Sequence, residues 1–410
     1  MIALAMLPLV ACDPDSLLES ETPSLLDADK LGDPSQAQLL MNGVAADFEC
    51  AHGAFVAANA LMSDELEDAQ LGAAPWSYDR RSWSAEPGGT YGTASCNAQI
   101  FGVYRPLSTA RWTADNLLRH LQDVWTDEQV PARQQLMARA AVYAGFSLTE
   151  LGMIMCSAAL DGGPEMTSAQ LLGAAEDRFT RAMTAADAAG AADLRYAALA
   201  GRARVRLYLG DDAGAATDAA AVPPDFVFNA TASDDASSSR RWNRIFHFVN
   251  FSRFHMIAEE SRDLTTGGVP DPRVVAVETE SRTIDGRLSV AQQKYGSLGA
   301  PLPVTRYEEA QLILAEAQGG QTAIDVINAL RARHSLPQLT AQEIADLENA
   351  LIEERRRELF LEGQRFNDIV RFGLPLVPAP GTPFPKGGFY GSTSCLPLPD
   401  VERFNNPNIS

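Results

Sequence analysis

Carboxylate side chains are concentrated near the C-terminus, where their number invites comparison with catalytic acids. The cluster consists of Glu354, Glu358, Glu362 and Asp368. A glycosidase needs two carboxyl groups that face each other across a cleft, about 5–9 Å apart. Acids four residues apart on one helix point from the same face instead. We therefore predict no catalytic residue in this cluster and no enzymatic activity.

Arginines accompany these acids at helical spacing. Arg355, Arg365 and Arg371 stand three or four residues from an acidic partner, for example Glu362 with Arg365. Such offsets place opposite charges next to each other on a helix. The pattern predicts structural ion pairs.

The sequence gives little indication of a metal, cofactor or nucleic-acid site. His255 and Glu259 lie one helical turn apart, but a third metal ligand is not evident, so we expect a surface hydrogen bond and no metal site. The sequence contains no P-loop, nucleophile elbow or dinucleotide fingerprint, and we predict no cofactor. The net charge of −20, without a Lys/Arg block, excludes nucleic acid as a partner.

Aromatic residues between positions 72 and 102 form the best candidate ligand site. Trp and Tyr rings in a polar loop can stack on the C–H face of a sugar, while nearby polar groups fix its orientation. The alternative is that these rings pack under the loop as a satellite core. Trp112 and Trp125 fall beside leucines and are predicted to be packing residues. The candidate ligand-binding residues are Asp64, Trp76, Tyr78, Arg81, Trp83, Tyr91, Asn97 and, after a Ser-rich connection, Trp242.

The sequence around the first of the five cysteines suggests export. The apolar run before Cys12 ends in Leu-Val-Ala-Cys, which resembles a bacterial lipobox whose cysteine is acylated. The other four, at positions 50, 96, 156 and 395, include no C-x-x-C pair and allow three disulfide patterns. Cys50 with Cys96 is one possible disulfide, and buried free thiols are the alternative.

Most of the chain that positions the candidate residues has helical periodicity. Apolar stripes predict helices around 137–155, 172–189 and 194–209, with Gly190 and Gly210 as C-terminal stops. A partner helix follows at 212–221, and small Gly201 gives this pair a tetratricopeptide-like appearance, an ordinary helical hairpin being the alternative. The run 274–277 and the turn Asp285-Gly286 predict a β-hairpin, whereas 222–240 should be an exposed connection.

The C-terminal region has clear helix signals. Thr340 and Glu343 form a capping box, from which we predict one long helix that ends near Arg371.

The same region carries a family resemblance. Residues 352–373 read IEERRRELFLEGQRFNDIVRFG, which resembles the C-terminal signature of the SusD/RagB family. Further stretches agree in order: PVTRYEE at 303–309, LAEA at 314–317, INALRAR at 327–333, LPLP at 396–399 and NPN at 406–408.

This resemblance implies a mainly α fold, a SusD-like body of degenerate tetratricopeptide-like helix pairs with long loops and a small β-hairpin region. It implies a non-catalytic outer-membrane lipoprotein that binds glycans or peptides and works with a SusC-like TonB-dependent transporter. The expected organisation is a signal at 1–12, a tether at 13–33 and one body at 34–410, divided at 222 and 304. An envelope scaffold without a small ligand is the alternative, and a glycoside hydrolase is a third.

Overall fold

The computed structural model describes residues 32–72, 76–83, 89–96 and 101–409, without the side chain of Trp76. Within these residues the chain forms fifteen α-helices and ten short β-strands, which confirms the predicted mainly α fold. The helices are α1 Ala37–Met62, α2 Trp76–Arg80, α3 Thr90–Thr93, α4 Tyr104–Arg119, α5 Arg133–Ile154, α6 Ser168–Ala189, α7 Ala192–Leu209, α8 Asp212–Ala220, α9 Arg244–Phe246, α10 Tyr307–Gln318, α11 Gly320–Arg333, α12 Ala341–Ala345, α13 Leu347–Glu358, α14 Arg365–Arg371 and α15 Asp400–Asn405. The strands are β1 Leu66–Asp68, β2 Ser157–Ala159, β3 Glu165–Thr167, β4 Val227–Ala230, β5 His255–Ile257, β6 Thr265–Thr266, β7 Val269–Pro270, β8 Ala276–Arg282, β9 Leu288–Gln292 and β10 Leu302–Arg306.

Helices α5 to α8 lie close to the bounds that periodicity predicts, and each helix packs against the next one along the chain. Helix α6 begins with a capping box between Thr167 and Gln170 and ends at Gly190, whose φ of 64° is left-handed. Helix α7 ends in the same way at Gly210, with φ 81°. These local signals set the helix lengths, and short connections then force neighbouring helices to run side by side.

Glycines let these helices approach closely. The ring of Phe179 on α6 lies against Gly145 of α5 and Gly201 of α7, and it meets the ring of Phe146 edge-on at 4.9 Å between centroids. A Cβ atom at Gly201 would lie 2.5 Å from Cε1 of Phe179. Gly201 is therefore the small packing residue that the sequence suggested.

The strands form two-stranded antiparallel pairs, β1 with β5, β2 with β3, β4 with β10, β6 with β7 and β8 with β9. The pair β8–β9, whose turn contains Gly286 at φ 90°, confirms the predicted hairpin. The expectation for 222–240 was partly wrong, because β4 within it pairs with β10. That pairing satisfies backbone groups which a wholly exposed connection would leave to water.

The predicted long C-terminal helix was also wrong. The capping box of Thr340 and Glu343 is present, but α12, α13 and α14 are separate helices. Leu361 and Gly363 between α13 and α14 have φ values of 57° and 75°, which no right-handed helix accommodates. The chain turns there because Glu65 accepts the Leu361 N–H at 2.8 Å and Gly363 packs against Phe55.

A large hydrophobic cluster runs from Ala37 in α1 to Leu398 near the end of the chain, and a smaller cluster joins α10, α11 and α13. The structure contains the Cys50–Cys96 disulfide and a second disulfide, Cys156–Cys395. In the described part of the chain, no helix combines the length and apolar character that crossing a membrane requires. Cys12 and residues 1–31 lie outside that part.

Candidate functional site

The charged residues of the C-terminal signature lie in a buried ion-pair network. Arg355 forms two hydrogen bonds with Asp368, at 2.8 and 2.9 Å. Arg371 bonds both Asp368 and Glu316. Burial alone would raise the pKa of Asp368, but the charges of Arg355 and Arg371 lower it overall.

Glu358 and Glu362 have partners far away in the sequence. Glu358 accepts hydrogen bonds from Arg273 and Arg306, each at 3.0 Å, and Glu362 bonds Arg306 and Lys294. Burial opposes ionisation of both carboxyl groups, yet a hydrogen bond from His334 and the charges of Arg306 and Arg273 lower the pKa of Glu358, and the charges of Arg306 and Lys294 lower the pKa of Glu362. Each carboxylate is therefore neutralised by cations from β10 and from the segments just before β8 and just after β9, an arrangement of charge-assisted hydrogen bonds that ties these strands to the C-terminal region.

The predicted pairing of Glu362 with Arg365 is wrong. The turn at Leu361 and Gly363 separates these two residues, and Arg365 instead holds Asp64 through hydrogen bonds of 2.7 and 2.8 Å. Burial raises the pKa of Asp64, but Arg365 lowers it overall. Glu354 also bonds across the fold, to Arg331 at 3.0 Å and to Arg273.

The polar residues proposed to orient a ligand are used inside the protein. Asp64 is buried under Arg365, as described above. Arg81 is fully buried, donates to the carbonyl oxygens of Val377 and Pro378, and lies over the ring of Tyr390. In this structure both side chains are almost wholly buried and tie loops to the body. Asn97 lies outside the described residues.

The aromatic loop residues pack against one another. Tyr78 and Tyr91 are buried, and half-buried Trp83 contacts both, at centroid distances of 5.5 and 4.7 Å. Tyr78 also stacks on Phe101 at 5.2 Å. Tyr78, Trp83 and Tyr91 thus pack under the loop as a satellite core, which was the alternative to a ligand site. The remote Pro397 contributes to this packing through its carbonyl oxygen, which accepts a hydrogen bond from the Tyr91 hydroxyl. The side chain of Trp76 lies outside the described part of the structure.

Trp242 stands at the surface end of this aromatic row. Phe101 contacts Phe248, Phe248 contacts His247, and His247 lies 4.9 Å from the Trp242 ring. Phe251, which is 55% exposed, lies 6.1 Å from Trp242. We name Trp242, His247 and Phe251 the Trp242 patch.

Hydrogen bonds hold the Trp242 patch in place. The indole N–H of Trp242 donates to the carbonyl oxygen of Asp235 at 3.0 Å. Burial lowers the pKa of His247 to about 4, so its ring is neutral at physiological pH, 2.9 Å from the Ser252 hydroxyl. The patch therefore presents pre-positioned, uncharged rings, which suit stacking on a sugar.

A second exposed tryptophan overturns a prediction. Trp125 is buried as expected, but Trp112 on α4 is 49% exposed. It lies on the wall of a cleft of about 490 Å³, which we name the Trp112 cleft. The helical spacing already indicated that Trp112 is exposed. Trp112 is five residues from Leu117, which places it away from the buried stripe of α4. The cleft is lined by Gly92, Thr93, Tyr104, Arg105, Ser108, Thr109, Arg111, Trp112, Ala159, Asp161, Gly162, Val401 and Glu402.

His255 is buried on β5, 3.2 Å from Asp68, and so does not make the surface hydrogen bond that was expected. The structure brings no three His, Cys, Asp or Glu side chains into a metal-binding group within its described ranges.

Sequence comparison identifies relatives. The model of the SusD family matches residues 282–397. The starch-binding protein SusD of Bacteroides thetaiotaomicron is 34% identical over 173 residues, which cover 37% of this chain and 30% of that protein. The match thus spans less than a third of the relative's length.

Solved structures share the fold. A SusD superfamily protein of Bacteroides vulgatus superposes with a TM-score of 0.68 at 16% identity, covering 92% of this chain and 98% of the other. A SusD-like carbohydrate binding protein of the same organism has a TM-score of 0.66 at 16% identity, covering 92% and 97%. The resemblance recognised from the sequence is confirmed: residues 282–397 match the SusD family model, and nine-tenths of the chain shares the fold of SusD-like proteins of known structure.

Proposed function

We propose that this protein is a lipid-anchored, non-enzymatic receptor of the outer membrane that binds oligosaccharide and delivers it to a SusC-like TonB-dependent transporter. A curated relative is named for starch binding and a structural neighbour for carbohydrate binding. The anchor in this proposal is Cys12, followed by a tether through residue 33.

The Trp242 patch carries the proposal. Trp242 and Phe251 are at least partly exposed and uncharged, whereas His247 is buried beneath them and continues into a row of buried rings that fixes the patch. A rigid aromatic surface loses little conformational entropy when a sugar stacks on it. Buried Tyr78 and Tyr91, with half-buried Trp83 between them, then support the patch through Phe101 and Phe248, without touching the ligand.

Calorimetry with a panel of neutral oligosaccharides tests the function: maltoheptaose, cellohexaose, laminarihexaose, xylohexaose and mannohexaose. The full chain carries Cys12→Ser, so that it cannot be acylated, and has both disulfides formed. We expect one panel member to bind, and Trp242→Ala to weaken binding roughly tenfold or more, as for a contact that dominates an interface.

Phe389→Ala is the control, because Phe389 is an exposed ring (62%) outside the Trp242 patch. Binding that is equal in the Trp242→Ala and control variants would remove the patch from the site. Absence of binding to the whole panel, together with retained binding to envelope proteins, would favour the scaffold alternative. Turnover of any panel member would contradict a purely binding role.

The anchor and the transporter need separate measurements. Labelled fatty acid should appear in the unchanged protein and disappear in Cys12→Ser. Affinity purification from detergent-solubilised membranes of the native host should recover a TonB-dependent channel, and its absence would refute the delivery step.

A further inference from the structure

The Trp112 cleft has the dimensions of a ligand site. Its volume of about 490 Å³ lies within the roughly 300–1,000 Å³ typical of ligand pockets. Helix α4 forms one wall, the turn after β2 forms a second, and α15 forms a third. Three segments that are far apart in sequence therefore meet around one cavity.

Trp112 gives this cavity an apolar face. Half of its side chain is exposed, although tryptophan is among the most buried side chains on average. An indole that is fixed on a helix and open to a cleft can stack on the C–H face of a pyranose ring. The buried residues of α4, for example Ala114 and Leu118, hold the helix that carries it.

Polar groups at the cleft are held in place from behind. Arg111 is 4% exposed and donates to both carboxylate oxygens of Asp161, at 2.8 and 2.7 Å. It also approaches Asp115 at 3.5 Å, which Arg178 of α6 holds at 2.7 Å. The Asp161 side chain remains 56% exposed, so its oriented oxygens can accept hydrogen bonds from sugar hydroxyl groups.

The charges of the cleft favour a neutral ligand. The cationic lining residues Arg105 and Arg111 are matched by the anionic lining residues Asp161 and Glu402. An acidic saccharide would meet two carboxylates here and a chain with a net charge of −20. A neutral hydroxyl-rich ligand meets acceptors and donors without like-charge repulsion.

The cleft also continues toward a second cavity. Arg105 and Thr109 line both the Trp112 cleft and a neighbouring cavity of about 350 Å³, which reaches Arg240. Arg240 precedes Trp242 by two residues. An extended chain seated at Trp112 can therefore run past Arg105 toward the segment that carries the Trp242 patch.

From these observations we propose that the Trp112 cleft is a second binding site for neutral, extended oligosaccharide, with Trp112 as the stacking ring and Asp161 and Glu402 as hydroxyl acceptors. The ligand class rests on the function proposed above, whereas the position of the site rests on the cavity alone.

Fluorine NMR tests this site separately from the Trp242 patch. The Cys12→Ser full chain is labelled with 5-fluorotryptophan, and its five tryptophan signals are assigned with single Trp→Phe variants. The five panel oligosaccharides are then titrated one at a time. We expect saturable shifts of the Trp112 signal and no shift for buried Trp125.

Each pattern of shifts decides between the two proposals. If only Trp242 shifts, the second site is refuted and the proposed function stands. If only Trp112 shifts, the cleft is supported and the Trp242 patch is refuted. If neither shifts with any sugar of the panel, both proposals fail.

Affinity measurements add a second readout. Trp112→Ala should weaken binding roughly tenfold or more, whereas Trp112→Phe, which keeps an aromatic face, should retain most of the affinity. Phe389→Ala again serves as the exposed-ring control. Equal affinity of the Trp112→Ala and control variants would overturn the second site.

Discussion

Replacing Gly201 by alanine tests how the helix pairs are packed. Gly201 on α7 faces Phe179 of α6 and Phe146 of α5, and an added Cβ would lie 2.5 Å from Cε1 of Phe179 and 3.0 Å from Cζ of Phe146. The Phe179 ring has little room to retreat, because a Cβ at Gly145 on its other side would lie only 2.7 Å from the same Cε1 atom.

Two opposing effects set the magnitude. Alanine favours the helix over glycine by about 1 kcal/mol in an exposed interior position. Overpacking of a well-packed core costs about 1–3 kcal/mol, and the upper end applies here because the ring is held on both sides. We therefore expect Gly201→Ala to lower the free energy of unfolding by about 1–2 kcal/mol.

Urea denaturation with both disulfides intact measures this change. Gly173→Ala is the matched control, since Gly173 lies exposed within α6 and a Cβ there would meet nothing within 4 Å. The control should gain about 0.5–1 kcal/mol from helix propensity alone. Adding Phe179→Leu to Gly201→Ala should restore part of the loss, as expected for residues in contact. A Gly201→Ala midpoint at or above that of the unchanged protein would refute this account of the packing.

Three further predictions concern buried charges and the second disulfide. Burial raises the pKa of Glu65 from 4.5 to about 8, so its contribution to stability is lost as the pH rises from about 4.5 to about 8, and Glu65→Gln should gain on the order of 2–4 kcal/mol at pH 8 but little at pH 4.5. Replacing Cys156 and Cys395 by serine removes a crosslink between residues 239 apart and should cost about 2–5 kcal/mol in urea denaturation. Arg273→Met removes the cation that Asp271, Glu354 and Glu358 share, leaves these buried carboxylates with less compensating charge, and should cost about 3–5 kcal/mol at neutral pH.

Exposed residues supply the controls for these changes. Glu348→Gln, at an exposed position of α13, should leave the pH profile unchanged, and an equally flat response for Glu65→Gln would contradict the burial argument. Arg181→Met breaks only a surface pair with Asp177 and should cost no more than about 1 kcal/mol. A comparably small loss for Arg273→Met would show that the buried network contributes little.

Local signals predicted the helices well. The stripe around Phe179, the left-handed stops at Gly190 and Gly210, and the capping box at Thr340 depend on residues within one or two turns of each other. The prediction of one long C-terminal helix was wrong at Leu361. The backbone of Leu361 is left-handed and is held by a hydrogen bond to Glu65, almost 300 residues away in the sequence. No local pattern contains that partner.

Side-chain exposure was harder to predict than secondary structure. Tyr78 and Tyr91 lie in a loop of polar composition, yet both are buried: Phe101 of the same loop stacks on Tyr78, and the remote Pro397 carbonyl oxygen accepts a hydrogen bond from the Tyr91 hydroxyl. Burial in such a loop depends on the tertiary fold. Trp112 differs, because its position off the buried stripe of α4 was visible in the helical spacing.

The side chains of the C-terminal signature, residues 352–373, form ion pairs inside the protein. This region therefore need not contact a ligand. Burying charges costs desolvation energy, and a hydrophobic replacement of similar volume would often be at least as stable. The benefit of the buried charges is that they select one geometry. Glu358 bonds Arg273 and Arg306, and Glu362 bonds Arg306 and Lys294. These pairs form only when α13 and the turn after it are correctly placed against the strand region. The C-terminal signature can therefore fix the body of the chain from within, whereas Trp112 and Trp242, the rings of the two proposed binding sites, lie outside this network.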